Sequence, residues 1–232
     1  MRFSAKEFNE KYGIFNLQWF GVTIVDLSDD LNVTTYAYGK ILSTFCIVKH
    51  EDVYVIHGEY VQYCISSSPF WTKEVRYFHL GQHNDNGEPA IRKWNGDNIV
   101  EEIWKVKNVI HRVNGPAVSK WNDEKLVLEE KWYKNGYYHR DDGPAIYKCG
   151  DDLECTSEYW YKDGKLHRED APAKSGFNYK YLYEKWYKNG VLHRENGPAY
   201  CKWKVVDDDL YELTKWYYNG EEYEPTLTKC AI

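Results

Sequence analysis

The chain has 232 residues, enough to bury a substantial hydrophobic core in one domain or in one domain with a small cap. Its 30 Lys and Arg residues against 36 Asp and Glu residues give a net charge of -6, the wrong sign for a protein that neutralises nucleic-acid phosphates. We therefore expect no nucleic-acid partner. The 10 Trp and 22 Tyr residues favour half-buried strands, so the composition predicts a β-rich fold.

Residues 1–75 share no phrase with the rest of the chain, and we predict an N-terminal cap or small α+β domain there. Ser4 and Glu7 fit a capping box that opens a short helix ending at Gly13. Apolar alternation then predicts strands at 22–25, 34–38, 41–48, 53–57 and 60–65. No apolar run follows a basic head, so we expect no signal peptide, no membrane anchor and a cytoplasmic location.

Residues 76–232 are predicted to be an array of β-hairpin repeats, because one phrase recurs there every 26 to 28 residues. The phrase reads HRVNGPA, HRDDGPA, HREDAPA and HRENGPA, with a looser copy at His83. Its His-Arg pairs are His111 and Arg112, His139 and Arg140, His167 and Arg168, and His193 and Arg194. Seven residues before these histidines stand Trp104, Trp132, Trp160 and Trp186. The last copy has lost the phrase, as is expected of an end repeat.

Each repeat is expected to contain a tight hairpin. Three copies continue from the tryptophan as Trp-Tyr-Lys-Asn/Asp-Gly, for example from Trp132 to Gly136. An Asn-Gly pair suits a type I′ turn because both central residues need positive φ. Gly-Pro-Ala should end the return strand, since Pro lacks the amide donor, and a new strand should follow it.

The evenly spaced histidines could instead be metal ligands or acid–base groups. A catalytic site needs one asymmetric constellation, whereas a residue repeated in every unit generally has the same structural role each time. We therefore assign the His-Arg pairs and the tryptophans to the repeat junctions. The expected partners of the His-Arg pairs are either Asp141, Glu169 and Glu195 of the same phrases or backbone carbonyls at the junction. We expect no catalytic residue, no metal and no cofactor.

An enzyme would need residues of the N-terminal segment, such as His50, Asp52 and His57, to converge with a repeat loop, and their spacing does not require it. The acidic runs at 151–152 and 207–209 are interpreted as solvated loops. The six cysteines contain no CxxC pair, so we expect reduced thiols.

Exposed tyrosines give the candidate partner surface: Tyr137, Tyr138, Tyr217 and Tyr218. Tyrosine is enriched at protein–protein interfaces, so we expect a protein partner, and open strand edges could add self-association. Aromatic rings beside Asp and Asn would equally suit a carbohydrate platform. The sequence leaves both alternatives open.

The unit Trp-Tyr-x-Asn-Gly-x-x-His-Arg-x-x-Gly-Pro-Ala resembles the MORN-like β-hairpin repeats, including the variant of YwqK-like antitoxins and of large-DNA-virus and phage proteins. The resemblance covers roughly residues 76–225. It implies an all-β, elongated array of antiparallel hairpins that serves as a scaffold or interaction surface, in the virion or host cytoplasm if the chain is viral. The His-Arg phrase replaces the usual glycine-rich return, so lipid binding is not carried over and no membrane partner is expected.

Overall fold

A computed structural model describes the chain at residues 1–13, 22, 24–38, 40–50, 53–63, 73–78, 87–150, 156–178, 181–206 and 209–224. These residues form antiparallel β-strands and a short N-terminal helix, which confirms the predicted all-β hairpin architecture with an α+β segment at its start. The chain divides into two compact units, residues 1–111 with 120–126 and residues 112–119 with 127–232. The sequence boundary near residue 75, where the repeats begin, falls inside the first unit.

The first unit is a meander whose long strands each pair with the next along the chain. Its elements are β1 (Arg2–Ser4), α1 (Ala5–Tyr12), β2 (Ile24–Leu27), β3 (Asn32–Ala37), β4 (Lys40–His50), β5 (Val53–Tyr63), β6 (Lys73–Phe78), β7 (Ile91–Asn95), β8 (Asn98–Ile103), β9 (Lys105–Val106) and β10 (Val109–Ile110). β9 and β10 form a short hairpin. β11 (Val118–Trp121) has two residues in each unit.

The helix forms as predicted. Ser4 Oγ accepts the Glu7 backbone N–H at 3.3 Å, and the Ser4 N–H donates to Glu7 Oε2 at 2.8 Å, which completes the capping box. Gly13 ends the helix in the left-handed conformation. Phe8, only 1% exposed, and Tyr12 anchor α1 in the core of this unit.

Two predicted strands, at 53–57 and 60–65, are one strand in the structure. Phe45 pairs with Tyr60, and Cys46 pairs with His57, so Gly58 and Glu59 are extra residues on β5. Both extra residues pair with β6 on the other side. The bulge keeps the ladder continuous where the glycine had suggested a break.

The second unit alternates long strands with short hairpins. Its elements are β12 (Val127–Lys131), β13 (Tyr133–Lys134), β14 (Tyr137–Tyr138), β15 (Ile146–Cys149), β16 (Thr156–Tyr159), β17 (Tyr161–Lys162), β18 (Lys165–Leu166), β19 (Lys174–Asn178), β20 (Tyr181–Lys185), β21 (Tyr187–Lys188), β22 (Val191–Leu192), β23 (Tyr200–Val206), β24 (Asp209–Tyr218) and β25 (Glu221–Tyr223). The long strands pair in the order β12, β15, β16, β19, β20, β23, β24. The short pairs are β13–β14, β17–β18, β21–β22 and the end of β24 with β25.

The predicted type I′ turns are present in the short hairpins. Asn135 and Gly136 have φ of 52° and 83°, and the Asp163–Gly164, Asn189–Gly190 and Asn219–Gly220 pairs also have positive φ at both positions. Each turn therefore fixes a two-residue hairpin whose register does not vary between repeats.

Candidate functional site

Each repeat tryptophan lies between a long strand and a short hairpin, and its backbone bonds to both. The backbone N–H of Trp132 donates to the Ala145 carbonyl at 2.7 Å, on the side of the long strands. The backbone carbonyl of Trp132 accepts the His139 N–H at 3.1 Å, on the side of the short hairpin. Trp160 and Trp186 make the same two bonds. The long strand Val127–Lys131 therefore ends before Trp132, and the short strand Tyr133–Lys134 begins after it, because the two strands have different partners.

The arginine of each phrase stacks on the tryptophan of its own repeat. The guanidinium carbon lies over the ring centre at 4.0 Å for Arg140 on Trp132, 3.7 Å for Arg168 on Trp160, and 3.8 Å for Arg194 on Trp186. Such a cation–π contact contributes about 0.5–1 kcal/mol. The backbone N–H of each of these arginines also donates to a tyrosine carbonyl of the following repeat, at 3.2–3.3 Å.

The histidine of each phrase holds the turn of the following repeat. Its Nδ1 accepts a backbone N–H from Asp163 at His139 (3.2 Å), from Asn189 at His167 (3.1 Å) and from Asn219 at His193 (3.1 Å). At His167 and His193 an accepting Nδ1 carries no proton, so the neutral ring has its proton on Nε2. The structure thus places these His-Arg pairs at contacts between repeats.

The Nε2 atoms face carboxylates at graded distances. The distance is 2.9 Å from His167 to Glu169, 3.2 Å from His139 to Asp141, and 3.7 Å from His193 to Glu195. His139 also has Asp163 Oδ1 2.9 Å from Nδ1, where the other two repeats have asparagine. His193 lines a cleft of about 400 Å³. Its walls include three cationic and three anionic side chains, which are Arg168, Lys188, Arg194, Glu169, Asp170 and Glu195, so the charges of the two signs balance.

The candidate partner tyrosines differ in exposure. Tyr137 is 64% exposed and Tyr218 is 52% exposed. Tyr138 packs between Tyr133 and Tyr161, with ring centres 4.4 Å and 5.1 Å apart. Burial raises the pKa of Tyr133 and Tyr161. Half-buried Tyr217 donates its hydroxyl to Glu222 at 2.8 Å.

The residues after successive turns form a row that we call the turn ridge: Tyr137, Lys165 and Val191, together with Tyr218 before the last turn. A Cβ on Gly164 would lie 3.1 Å from Tyr137, one on Gly190 would lie 3.6 Å from Lys165, and one on Gly220 would lie 3.9 Å from Val191. Each turn therefore rests on the residue that follows the turn before it.

One face of the long-strand sheet carries a lysine on almost every strand, which the sequence analysis missed. The register places Lys131, Ile146, Tyr159, Lys174, Lys185, Tyr200 and Lys215 in one cross-strand row. A row two residues away contains Glu129, Lys148, Ser157, Gly176, Tyr183 and Lys202. Side chains two residues apart share a face, so we call these two rows together the lysine face. A sequence signal exists: Lys131, Lys185 and Lys215 each directly precede a tryptophan.

The row between them puts glutamates on the opposite face: Glu130, Glu158 and Glu184, with Tyr147, Ser175, Cys201 and Thr214. Burial foremost, and also the charges of Glu158 and Glu130, raise the pKa of Tyr147. The sheet of the second unit is therefore basic on one face and acidic on the other.

The first unit has a cleft of about 340 Å³. Its lining residues are Asp97, Asn98, Ile99, Glu102, Trp121 and Lys125. Asn95 and Asn98 hold the adjoining loop by hydrogen bonds to Asp123 at 3.0 Å and 3.3 Å. The cleft thus combines an indole ring with carboxylate, amide and ammonium groups.

Some predicted features lie outside the described residues: residues 83–86 of the His83 phrase, the run at 151–152, residues 207–208 of the second acidic run, Asp52, and the side chain of His50. Cys46, Cys149 and Cys201 are free thiols. In the part of the chain that is described, no three His, Cys, Asp or Glu side chains are grouped as a metal would require. None of the described helical residues form a segment long and apolar enough to span a membrane.

A comparison of the chain with protein-family models and with curated proteins found no match.

Proposed function

We propose that the chain is a non-catalytic scaffold of MORN-like hairpin repeats that binds a protein partner. One observation carries the proposal: the recurring side chains of the phrase are engaged in contacts that hold the repeats together. His167 holds the Asn189 turn, and Arg168 stacks on Trp160. A frame built in this way presents fixed surfaces and leaves these groups unsuited to act on a substrate. A viral or phage setting remains a prediction of the resemblance.

The turn ridge is the surface we assign to the partner. Tyr137 and Val191 are exposed on it two repeats apart, and Tyr218 is exposed beside the last turn. Tyrosine supplies large contact area with little conformational entropy to lose, and hot spots of protein interfaces are enriched in it. A row of turns held at constant spacing would match an elongated partner surface.

The experiment is affinity capture from the native source with the immobilised full chain, followed by titration of the captured protein in purified form. A chain with Y137S, V191S and Y218S should lose binding at least tenfold, since hot-spot residues dominate affinity. The control is Y38S, which removes an exposed tyrosine of the first unit. A failure of every captured protein to bind after purification would overturn the scaffold proposal.

Carbohydrate binding is the second candidate, and the cleft beside Trp121 favours it. An aromatic ring flanked by Asp97, Asn98 and Lys125 suits the apolar face and the hydroxyls of a sugar. Oligosaccharide titration should then change the tryptophan fluorescence of the chain, and W121A should abolish the change. A flat titration across a broad glycan panel would remove this candidate.

A further inference from the structure

The lysine face contains lysines with and without counter-charges. Lys131 and Lys148 both pair with Glu129, at 2.8 Å and 3.1 Å, and Lys215 pairs with Glu222 at 2.9 Å. The lysine-face residues Lys174 on β19, Lys185 on β20 and Lys202 on β23 make no ion pair with any residue that the structure describes. The lysines of the lysine face are thus unpaired on β19, β20 and β23 and paired on the strands at the two sides.

The three central lysines lie close to one another. Lys174 and Lys185 are directly opposite in the β19–β20 pairing, an arrangement that is unfavourable for like charges. Lys202 is opposite Tyr183, two residues from Lys185 on the same face. Burial foremost, and also the charges of Lys174 and Lys202, lower the pKa of Lys185. A bound anion would therefore reduce the repulsion among the three ammonium groups.

Tyrosine rings hold the three ammonium groups in place. The distances from Nζ to the ring centre are 4.7 Å for Lys174 and Tyr159, 4.9 Å for Lys185 and Tyr200, and 4.0 Å for Lys202 and Tyr181. Gly176, at the centre of the cluster, has no room for a side chain, because a Cβ there would lie 2.6 Å from the Tyr183 hydroxyl. The lysines are consequently held in a defined arrangement on one face of the sheet.

We propose that Lys174, Lys185 and Lys202 form a binding site for an acidic polypeptide segment of a partner protein. The spacing fits an extended chain: diagonal neighbours such as Lys185 and Lys202 are about 7–8 Å apart, and alternate side chains of an extended peptide are about 6.6 Å apart. Successive glutamates on one side of the segment would each reach one ammonium group. This site is separate from the turn ridge.

The surroundings favour a carboxylate-rich polypeptide over a nucleic acid. Single-stranded nucleic acids gain affinity by stacking bases on free aromatic faces. Here Tyr159, Tyr181 and Tyr200 each have a ring face covered by an ammonium group. The chain also has a net charge of -6, which would repel a long polyanion beyond the cluster itself. A short acidic segment would meet only the local positive charge.

The test is fluorescence anisotropy of a labelled octaglutamate peptide titrated with the full chain. Binding should weaken as salt rises. K174Q, K185Q and K202Q together should weaken it by roughly thirtyfold, on the basis of about threefold for each partly exposed ion pair. The matched control is K134Q, K162Q and K188Q, which removes the same charge from three exposed turn positions and should leave binding unchanged. If the triple variant is unfolded by circular dichroism, K185Q alone should give the threefold loss.

Several results would overturn the proposal. They are no binding of octaglutamate, equal losses in the cluster and control variants, or tighter binding of an octathymidylate, which would assign the face to nucleic acid. A wild-type dimer that the cluster variant abolishes would assign the face to a second copy. The two proposals can also fail separately. If the chain does not bind octaglutamate, and a captured partner needs Tyr137 and Tyr218 but binds the K174Q, K185Q and K202Q variant normally, the lysine site is refuted and the scaffold function stands.

Discussion

The backbone N–H of Asn189 donates a 3.1 Å hydrogen bond to Nδ1 of His167, a residue 22 positions earlier in the chain. A side chain of one repeat therefore satisfies the turn of the next repeat. The same bond joins Asp163 to His139 and Asn219 to His193. Asn189 lies outside the ladder of its own hairpin, which pairs Lys188 with Val191, and the imidazole accepts its N–H.

Replacing His167 by alanine should lower the free energy of unfolding by about 0.5–1.5 kcal/mol, since the Asn189 N–H would lose its acceptor. Urea unfolding measures the change. The control is E169Q: Glu169 contacts His167 Nε2 at 2.9 Å but is 65% exposed, so it should change stability by less than about 0.5 kcal/mol. A loss of stability with E169Q as large as that with H167A would show that the contact between Glu169 and His167 Nε2 is the stabilising interaction, and not the bond from the Asn189 N–H.

The Arg140 guanidinium occupies the space that a side chain at position 143 would need. A Cβ at Gly143 would lie 2.6 Å from the guanidinium carbon. The third repeat has Ala171 at this position, and its Arg168 reaches Pro172 O at 3.5 Å, compared with 3.1 Å from Arg194 to Pro198 O in the fourth repeat. The longer bond is consistent with an arginine displaced by the alanine methyl group.

Replacing Gly143 by alanine should therefore destabilise the chain by no more than about 1 kcal/mol, because the atoms in the way are the end of a flexible side chain and the main loss is the stacking of Arg140 on Trp132. In an R140A background the obstacle is gone, so the same substitution should be close to neutral. Thermal or urea unfolding of the four proteins in this double-mutant cycle gives the coupling. An equal loss in both backgrounds would attribute the glycine to backbone conformation.

The sequence predicts the parts of the structure that depend on local chemistry. The Asn135–Gly136 turn is predictable because asparagine and glycine accept the positive φ that both positions need. The Ser4 cap is predictable from the three-residue spacing between Ser4 and Glu7. The structural assignment of the His-Arg pairs rests on regular recurrence, which a repeat needs and a single catalytic site does not.

The lysine face could not be predicted in the same way. Lys174 and Lys185 are opposite because of the register between β19 and β20, and Lys202 joins them only through the next pairing. A shift of one residue would send each lysine to the other face. The bulge at Gly58 and Glu59 was missed for a similar reason, because a glycine within a strand pattern also signals a break.

Asp26 should contribute to stability only above acidic pH. Arg2 donates two hydrogen bonds of 2.7 Å to its carboxylate, and these bonds lower the pKa of Asp26. A group whose folded-state pKa is depressed stabilises the fold above its ordinary value, about 3.9, and loses that effect as the pH falls through the folded value. The contribution should be small and sensitive to salt because the pair is exposed.

The comparison is the urea midpoint of the wild type and D26N, measured at low salt near neutral pH and again below about pH 3. The wild type should be the more stable protein at neutral pH, and the difference should shrink in acid. A difference that stays constant over this range would mean that the aspartate acts without its charge.

Tyr187 should limit stability at alkaline pH. Burial raises the pKa of this phenol above its ordinary value, about 10. The stabilisation that neutral Tyr187 gives to the fold is therefore complete below about pH 10. It is lost as the pH rises through the higher pKa of the folded state, because Tyr187 ionises at a lower pH in the unfolded chain. Y187F removes the ionisation, so the alkaline unfolding midpoint should move to higher pH. Absorbance near 295 nm reports the ionisation and circular dichroism reports the fold; a midpoint that Y187F leaves unchanged would mean that other groups drive alkaline unfolding.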